Sequence, residues 1–426
     1  MKIAIIGSGI SGLGAAHALR DDARITLYES GLRLGGHTNT VDVTLDGVTA
    51  GVDTGFLVFN ERTYPNLIRL FEELSIPTSK SDMSFAVSVA QGGERRLEWA
   101  GTDLNAVFAQ RRNLLSPRFL GMVRDILRFN REATRIAQEP ESDSALSLGE
   151  FLDRGRFKEA FRRWYLLPMA AAIWSCPMAT MLAYPLATFA RFCHNHGLLQ
   201  VENRPQWWTV MGGARQYVRK IASRIPDVRL GEQVTAVRRD TVTGQVLVKS
   251  LHATERYDHV ILACHSTDSL ALLTDADADE RAILESVKYQ RNRAVLHTDI
   301  ALMPRLQSVW SSWNYMSDGG AEPNVSVTYL LNKLQPLPFT TPLMVSLNPV
   351  VEPDPGKVLA EFDYEHPVFD RAAIAAQGAL ADVQGRRQVW LAGAWTGYGF
   401  HEDGLKSGLR VAEAIRGLAT TRLLAA

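Results

Sequence analysis

Hydrophobic residues in this chain fall into three kinds of pattern, each predicting a different element. The first is a short unbroken apolar run closed by glycines. In "KIAIIGSGISGLGAAHALR" the run predicts a buried strand, the glycines a tight turn, and the residues after them a helix whose Ala16 and Leu19 face the sheet at helical spacing. "RITLYES" predicts the next strand, ending at Glu29. The far end, "QVWLAGAWTGYGFHEDGLKSGLRVAEAIRG", repeats the order: a strand over Val389 to Leu391, a glycine-rich loop, and a helix from Gly404 with Gly408 and Ala412 on one face for close packing. "VRLGEQVTAVRRD" and "VLVKSLHATERYDHVILAC" read as further strands.

The second pattern is a helical period over residues 103–163. In "RFLGMVRDILRFNREATRIA", Leu120, Val123, Leu127 and Ala133 form an apolar stripe, while Arg124, Arg128, Arg131 and Arg135 share a face. A basic face of this kind is either solvated or laid on anionic headgroups. The third pattern is alternation. "RAVLHTDIAL", "SVWSSWNYM", "NVSVTYLLN" and "PLMVSLNP", between residues 289 and 365, predict a second sheet. Trp310, Trp313, Tyr315 and Tyr329 there suit either a cavity wall or an ordinary core. His297 and Asp299, two apart, share a strand face and can form a polar pair.

Residues 164–190 fit none of the three, carrying no charged side chain over a length that can span a bilayer. Pro168, Pro177 and Pro185 interrupt them, which favours short buried helices lining a cavity over a spanning helix, with a surface dipping into lipid as the alternative.

Composition narrows the class. A chain of 426 residues suggests two or three domains, and 46% hydrophobic with 22% charged residues is a soluble globular balance. Zero net charge gives no reason to expect nucleic acid as a partner. Cys176, Cys193 and Cys264 lie far apart, which excludes a disulfide scaffold and fits a reducing cytoplasm. "MKIAIIGSG" enters a strand at once, leaving no room for a signal peptide's charged and apolar regions. We expect a cytoplasmic protein, peripheral at the inner membrane face if the basic helix meets lipid. No metal is expected: "HEDG" at 401–404 is followed by no second histidine at helical spacing. Walker A and GxSxG motifs are also absent.

The glycine turn carries the chemistry. Gly7, Gly9 and Gly12 have GxGxxG spacing: Gly7 permits the turn, Gly9 lets backbone approach a pyrophosphate, and Gly12 packs helix on strand. Glu29 follows Gly7 by 22 residues, as a ribose-binding carboxylate should. An NAD site needs no more. "RLGGHTNT" adds Arg33 and the pair Gly35–Gly36, a second backbone turn able to close on the same pyrophosphate.

With these two ends on the page, the chain resembles the flavin amine oxidase and carotenoid desaturase superfamily, which carries GxGxxG, an acid, a GG turn and a closing "AG…G…SG" segment. The resemblance covers the whole chain. "GGHTNT", "VDTGFLVFNERTYPNL" and "GFHEDGLKSG" are similar to a bacterial branch often encoded beside cyclopropane-fatty-acid synthases. It implies an α/β fold: a Rossmann-like FAD-binding domain of residues 1–75, 205–275 and 370–426, and a discontinuous α+β substrate domain, mixed sheet plus helices, of residues 76–204 and 276–369. It implies FAD, held by Gly7, Gly9, Ser11, Gly12, Glu29, Ser30, Arg33, Gly35, Gly36, His37, Thr54 and Gly55, by Val234 at the adenine, and by Gly393, Ala394, Glu402, Asp403, Gly404 and Leu405 at the flavin end. Two positions depart from the pattern: His37 stands where many members have Arg, and Ala394 where many have an acid. No cysteine lies in the closing segment, so a non-covalent flavin is expected. Asn60, Glu61 and Tyr64, just past the Asp53–Gly55 turn, suit either the site or loop and cap hydrogen bonds. Cys264 suits a buried inert thiol better than a redox one.

The activity expected is oxidation or desaturation of a hydrophobic substrate, a methylated, unsaturated or cyclopropane acyl chain in phospholipid, with His401, Glu402 and His297 as polar catalytic candidates. An amine oxidase, a redox-neutral flavin isomerase and a non-enzymatic partner of a lipid methyltransferase remain as alternatives.

Overall fold

The computed structural model describes residues 1–139, 146–174, 181–200, 203–320 and 324–425. Five strands form a sheet in the order Asp227–Leu230, Arg24–Glu29, Lys2–Ile6, His259–Leu262, Val389–Leu391, each neighbouring pair parallel. Ile3, Ala4, Ile5, Leu27, Val260 and Ile261 are fully or almost fully buried. A parallel sheet covered on both faces demands such unbroken apolar strands. The chain leaves central Lys2–Ile6 toward one side and returns on the other at His259–Leu262. That reversal opens a crevice at the carboxyl ends of the strands.

Helix Ile10–Leu19 begins at the crevice, and the long C-terminal helix packs across it, Leu405 against Gly14. This helix spans His401–Ala425 and so starts before Gly404, drawing His401 into its first turn.

The second large sheet has seven strands: Val358–Val368, Lys288–His297, Met344–Leu347, Val325–Leu330, Trp313–Ser317, Phe85–Ala90 and Arg96–Ala100. The four alternating runs of the sequence all join it. Phe85–Ala90 pairs in parallel with Trp313–Ser317, a partner distant in sequence that no local pattern reveals. Val358–Val368 is an edge strand whose Glu361 and Asp363 interrupt the apolar signal.

Helices cover one end of this sheet. Pro117–Gln138 is capped by Ser116, whose side chain accepts from the Phe119 amide. Its buried face differs from the expected one. Phe119, Met122, Phe129, Ala133 and Ile136 are buried, while Leu120 and Leu127 are exposed. The larger rings claim the interior: Phe129 sits among Phe151, Phe157, Phe161 and Phe189. Arg128 leaves the basic face, its guanidinium 3.8 Å from the centre of the Phe157 ring.

The uncharged stretch is not broken at Pro168: a helical run continues through it from Glu159 to Trp174, with a π-helical turn over Arg162–Leu166 just before the proline that accommodates its missing N–H. Only at Pro185, which precedes Leu186–Asn195, does a described proline of the stretch stand at a helix start. Cys176 and Pro177 lie outside the described residues. Among the described residues, no helix is long and apolar enough to cross a membrane.

Candidate functional site

A cavity of about 760 Å³ runs from the first glycine turn to an aromatic wall at the second sheet. Its polar end is built from strand ends of the parallel sheet. Gly9 is the N-cap of Ile10–Leu19 and offers no side-chain cap, so the helix's first amides are left for a ligand. Glu29 closes the next strand, accepting from the Ser8 amide at 3.1 Å and the Gly31 amide at 2.8 Å. The glycine pair abuts the first turn. Gly35 and Gly36 have φ of +110° and +57°, and a Cβ on Gly36 would lie 3.2 Å from Gly9 Cα. The Gly35 amide donates to the Ser8 carbonyl at 3.1 Å. Two turns 26 residues apart in sequence thus form one surface.

The expected cofactor residues divide into two groups. Gly7, Gly9, Ser11, Glu29, Ser30, Gly35, Gly36 and His37 line the cavity, as do Thr54, Gly55, Val234, Gly393 and Ala394. His37 stacks on Tyr364 with ring centres 5.1 Å apart, and its Nε2 is buried without a partner. Burial, and then the neighbouring His366, push it down to about 3, so it is neutral and free to pair with a ligand. This orphaned nitrogen, the uncapped helix start and the glycine turns fit FAD's long polar framework.

The others lie behind the wall. Gly12 packs against Gly7, and Arg33 donates to the Gly36 carbonyl at 2.7 Å, fixing the turn rather than facing the cavity. Gly404 and Leu405 pack against Ile10, Ser11 and Gly14. Asp403 accepts from the Phe400 amide at 3.0 Å, and burial raises it to about 6. With Ala394 at the missing acid, the closing segment directs no carboxylate into the cavity.

Two catalytic expectations are corrected. Glu402 accepts from the Asn66 and Leu67 amides, each at 3.0 Å, and caps helix Pro65–Glu73. Its carboxylate holds elements together instead of reaching substrate. Glu402→Gln should therefore lower stability by about 1 kcal/mol, because the amide keeps one acceptor for two helix-start N–H groups and turns a donor toward the other, and leave the flavin spectrum unaltered. Chemical denaturation with visible spectroscopy checks both; a changed spectrum at unchanged stability would contradict the capping role. His297 is fully buried in the second sheet, with Nε2 2.8 Å from Ser346 Oγ and Nδ1 accepting from the Asp299 amide. It does not line the cavity.

His401 does. Its ring stacks on Phe56 at 3.9 Å, and its Nε2 lies 2.7 Å from Tyr217 Oη. Burial lowers it to about 3, so it is a neutral, buttressed part of the wall and no proton reservoir near neutral pH. Asn60 Oδ1 accepts from the Arg62 and Thr63 amides, a loop role, while Tyr64 lines the cavity.

The other end of the cavity is apolar. Leu57, Val58, Met83, Ile173, Phe192 and Leu198 line it with Trp207, Trp313, Tyr329, Leu347, Tyr398 and Phe400. Trp313 and Tyr329 meet edge to face at 4.7 Å and both line the cavity. Trp310 packs instead with Met303, Leu330 and Met344, and Tyr315 is buried beside a separate small pocket. His196 is the polar exception: Nδ1 lies 2.9 Å from the Phe192 carbonyl, and burial lowers it to about 4. The lining carboxylates, Glu29, Glu232, Asp268 and Glu365, belong to or adjoin the nucleotide end. Cys264 lines the cavity with its thiol raised to about 12 by burial, an inert form.

Sequence reasoning missed His265, Tyr289, Glu365 and His366, which join His37 on the wall. His265 stacks on Tyr289 at 4.3 Å and lies 3.4 Å from Glu365. His265 had a signal, since it lies three residues past the strand that ends beside the glycine turn. Glu365 and His366 had none, being on an edge strand of the other sheet.

Comparison with known proteins agrees with this geometry. Residues 10–291 match the family described as flavin containing amine oxidoreductase. No protein of curated function matches the sequence. Among solved structures, putrescine oxidase bound to putrescine is similar at TM-score 0.68 and 16% identity, covering 98% of this chain and 99% of that one. A CLA-producing fatty acid isomerase from P. acnes gives 0.66 and 15%, covering 97% of each chain. Cyclohexylamine oxidase from Brevibacterium oxydans gives 0.65 and 17%, covering 97% and 99%. At these identities the likeness is one of fold.

Proposed function

Because the chain belongs to the flavin containing amine oxidoreductase family and is an FAD-dependent oxidoreductase, we propose that its substrate is a hydrophobic acyl chain, oxidised or desaturated in the apolar end of the cavity. The fold does not choose the substrate, being shared by enzymes named for amines and for a fatty acid. The observation that carries the reading is the lining beyond His401: aliphatic and aromatic side chains, with no carboxylate among the described residues there. An ammonium group placed in that space would be desolvated without a counter-charge, whereas a hydrocarbon chain gains from the burial.

FAD, when bound, supplies the capacity to accept two electrons from a C–H bond. The protein's part is positional. Uncapped helix amides and the paired glycine turns take the phosphates, Glu29 and Val234 the adenosine end, and the ring held by Phe56 and Tyr217 shapes the junction with the apolar wall. Phe192, Phe400 and Trp207 exclude water from the reacting bond. The absence of a cysteine in the closing segment and the inert state of Cys264 support a non-covalent cofactor. The sequence likeness to proteins encoded beside cyclopropane-fatty-acid synthases supports a methylated, unsaturated or cyclopropane chain.

One observation favours a second reading. Tyr398, Phe400 and Trp313 line this end, and aromatic rings can hold an alkylammonium by cation–π attraction. An anaerobic titration of the purified flavoprotein separates the two. Vesicles carrying methyl-branched or cyclopropane chains should bleach the oxidised flavin band, and putrescine or longer polyamines should not. Bleaching by amines alone would replace the lipid reading with the amine one. No bleaching by either would refute oxidation of both classes and leave a redox-neutral or partner role.

A further inference from the structure

The surface of helix Pro117–Gln138 carries a pattern that the cavity does not use. Its solvent-facing stripe is Leu120, Arg124, Leu127, Arg131 and Arg135, spaced three or four residues apart. Leu120 and Leu127 are 43% and 56% exposed, and the segment entering the helix adds Leu114 at 47% and Leu115 at 88% beside exposed Arg111 and Arg112. Leucine and arginine thus alternate along the outermost line of the helix, where a solvated face would carry mostly polar side chains. The stripe itself contains no acid. Arg124 pairs with Asp125, a buried neighbour at the stripe's inner margin, at 3.7 Å, and Arg131 meets no carboxylate among the described residues. Only Arg135 has a surface partner, Glu139 at 3.1 Å.

We propose that this face docks the protein on an anionic phospholipid bilayer, the leucines entering the acyl boundary and the arginines lying at headgroup phosphates. Mixed leucine and arginine on one exposed line matches a bilayer interface, apolar within and anionic at its rim. An acidic protein would complement the arginines but give no common reason for four protruding leucines. The proposal stands apart from the substrate reading. The two meet in one structural fact: the helix packs on Leu186–Asn195, whose Phe192 lines the apolar end of the cavity.

Vesicle flotation of the full flavoprotein tests it. Phosphatidylcholine vesicles containing phosphatidylglycerol should carry the protein at low salt, and pure phosphatidylcholine should not. The double variant Arg124→Glu/Arg131→Glu should lose at least about tenfold in partitioning, and Leu120→Ser/Leu127→Ser should release the protein from vesicles at roughly 0.5 M salt, where the charge contribution is screened. Unchanged flavin absorbance and thermal midpoint in both variants show that the fold is intact. Wild-type protein that stays off anionic vesicles, or reversed-charge protein that floats as well as wild type, overturns the proposal. Self-association removed by the leucine changes, with no flotation, also overturns it by making a second copy the occupant. Because the readout is partitioning, its failure leaves the flavin titration standing, and the reverse.

Discussion

Gly9→Val should yield a folded, soluble and colourless protein. Gly9 has φ −64° and ψ 178°, a conformation that valine adopts without strain, and a Cβ built on it meets no protein atom within 4 Å. The fold therefore has no objection to the side chain. The cavity does, because Gly9 lines it beside the first amides of Ile10–Leu19, where a β-branched side chain stands between backbone and phosphate. We expect an affinity loss of at least about a hundredfold for FAD, ~2.7 kcal/mol, with an unaltered far-ultraviolet circular dichroism spectrum. Gly12→Val is the contrasting variant. Its Cβ would fall 2.0 Å from the Gly7 carbonyl oxygen, so it should damage the fold itself. Full flavin occupancy in Gly9→Val would place the cofactor elsewhere.

Stability should fall steeply on mild acidification. Burial lowers His17, and it lowers His37 and His401 to about 3 and His196, His297 and His366 to about 4. A histidine depressed in the folded state contributes stability that is present above its unfolded value of about 6.5 and is lost as pH falls toward the folded value. Three buried carboxyls act oppositely: Glu402 is raised, Asp53 is raised to about 7 and Asp403 to about 6, and the two aspartates each release a proton on unfolding near pH 5. The five histidines held at about 3 or 4 outnumber these two aspartates, leaving a net uptake of about three protons on unfolding near pH 5 and a slope of about 4 kcal/mol per pH unit. The thermal midpoint should drop by on the order of 10 °C between pH 7.5 and 5. A flat profile, or a rise toward pH 5, would show that these rings are charged in the folded protein.

The sequence by itself determined the nucleotide half. Strand, glycine turn, helix and Glu29 are contiguous, and their spacing follows from local geometry, so Gly7, Gly9, Glu29 and the Gly35–Gly36 turn were legible from order alone. Elements defined by their own period were legible too, including the alternating strands of the second sheet and the helix over Pro117–Gln138. Tertiary structure alone decided which face of that helix is buried, because Phe119 and Phe129 outcompete Leu120 and Leu127 for the interior only once Phe157, Phe161 and Phe189 are beside them. It also decided what the polar residues do. Glu402 and His401 are neighbours in sequence, but successive residues on a helix point about 100° apart. One carboxylate is therefore spent on the amides of Asn66 and Leu67, while one imidazole reaches the cavity. Glu365 and His366 became site residues only through the pairing of an edge strand in the other sheet. Local pattern fixes an element's period and its turns; the direction of a side chain's chemistry depends on partners hundreds of residues away, and those exist only after packing.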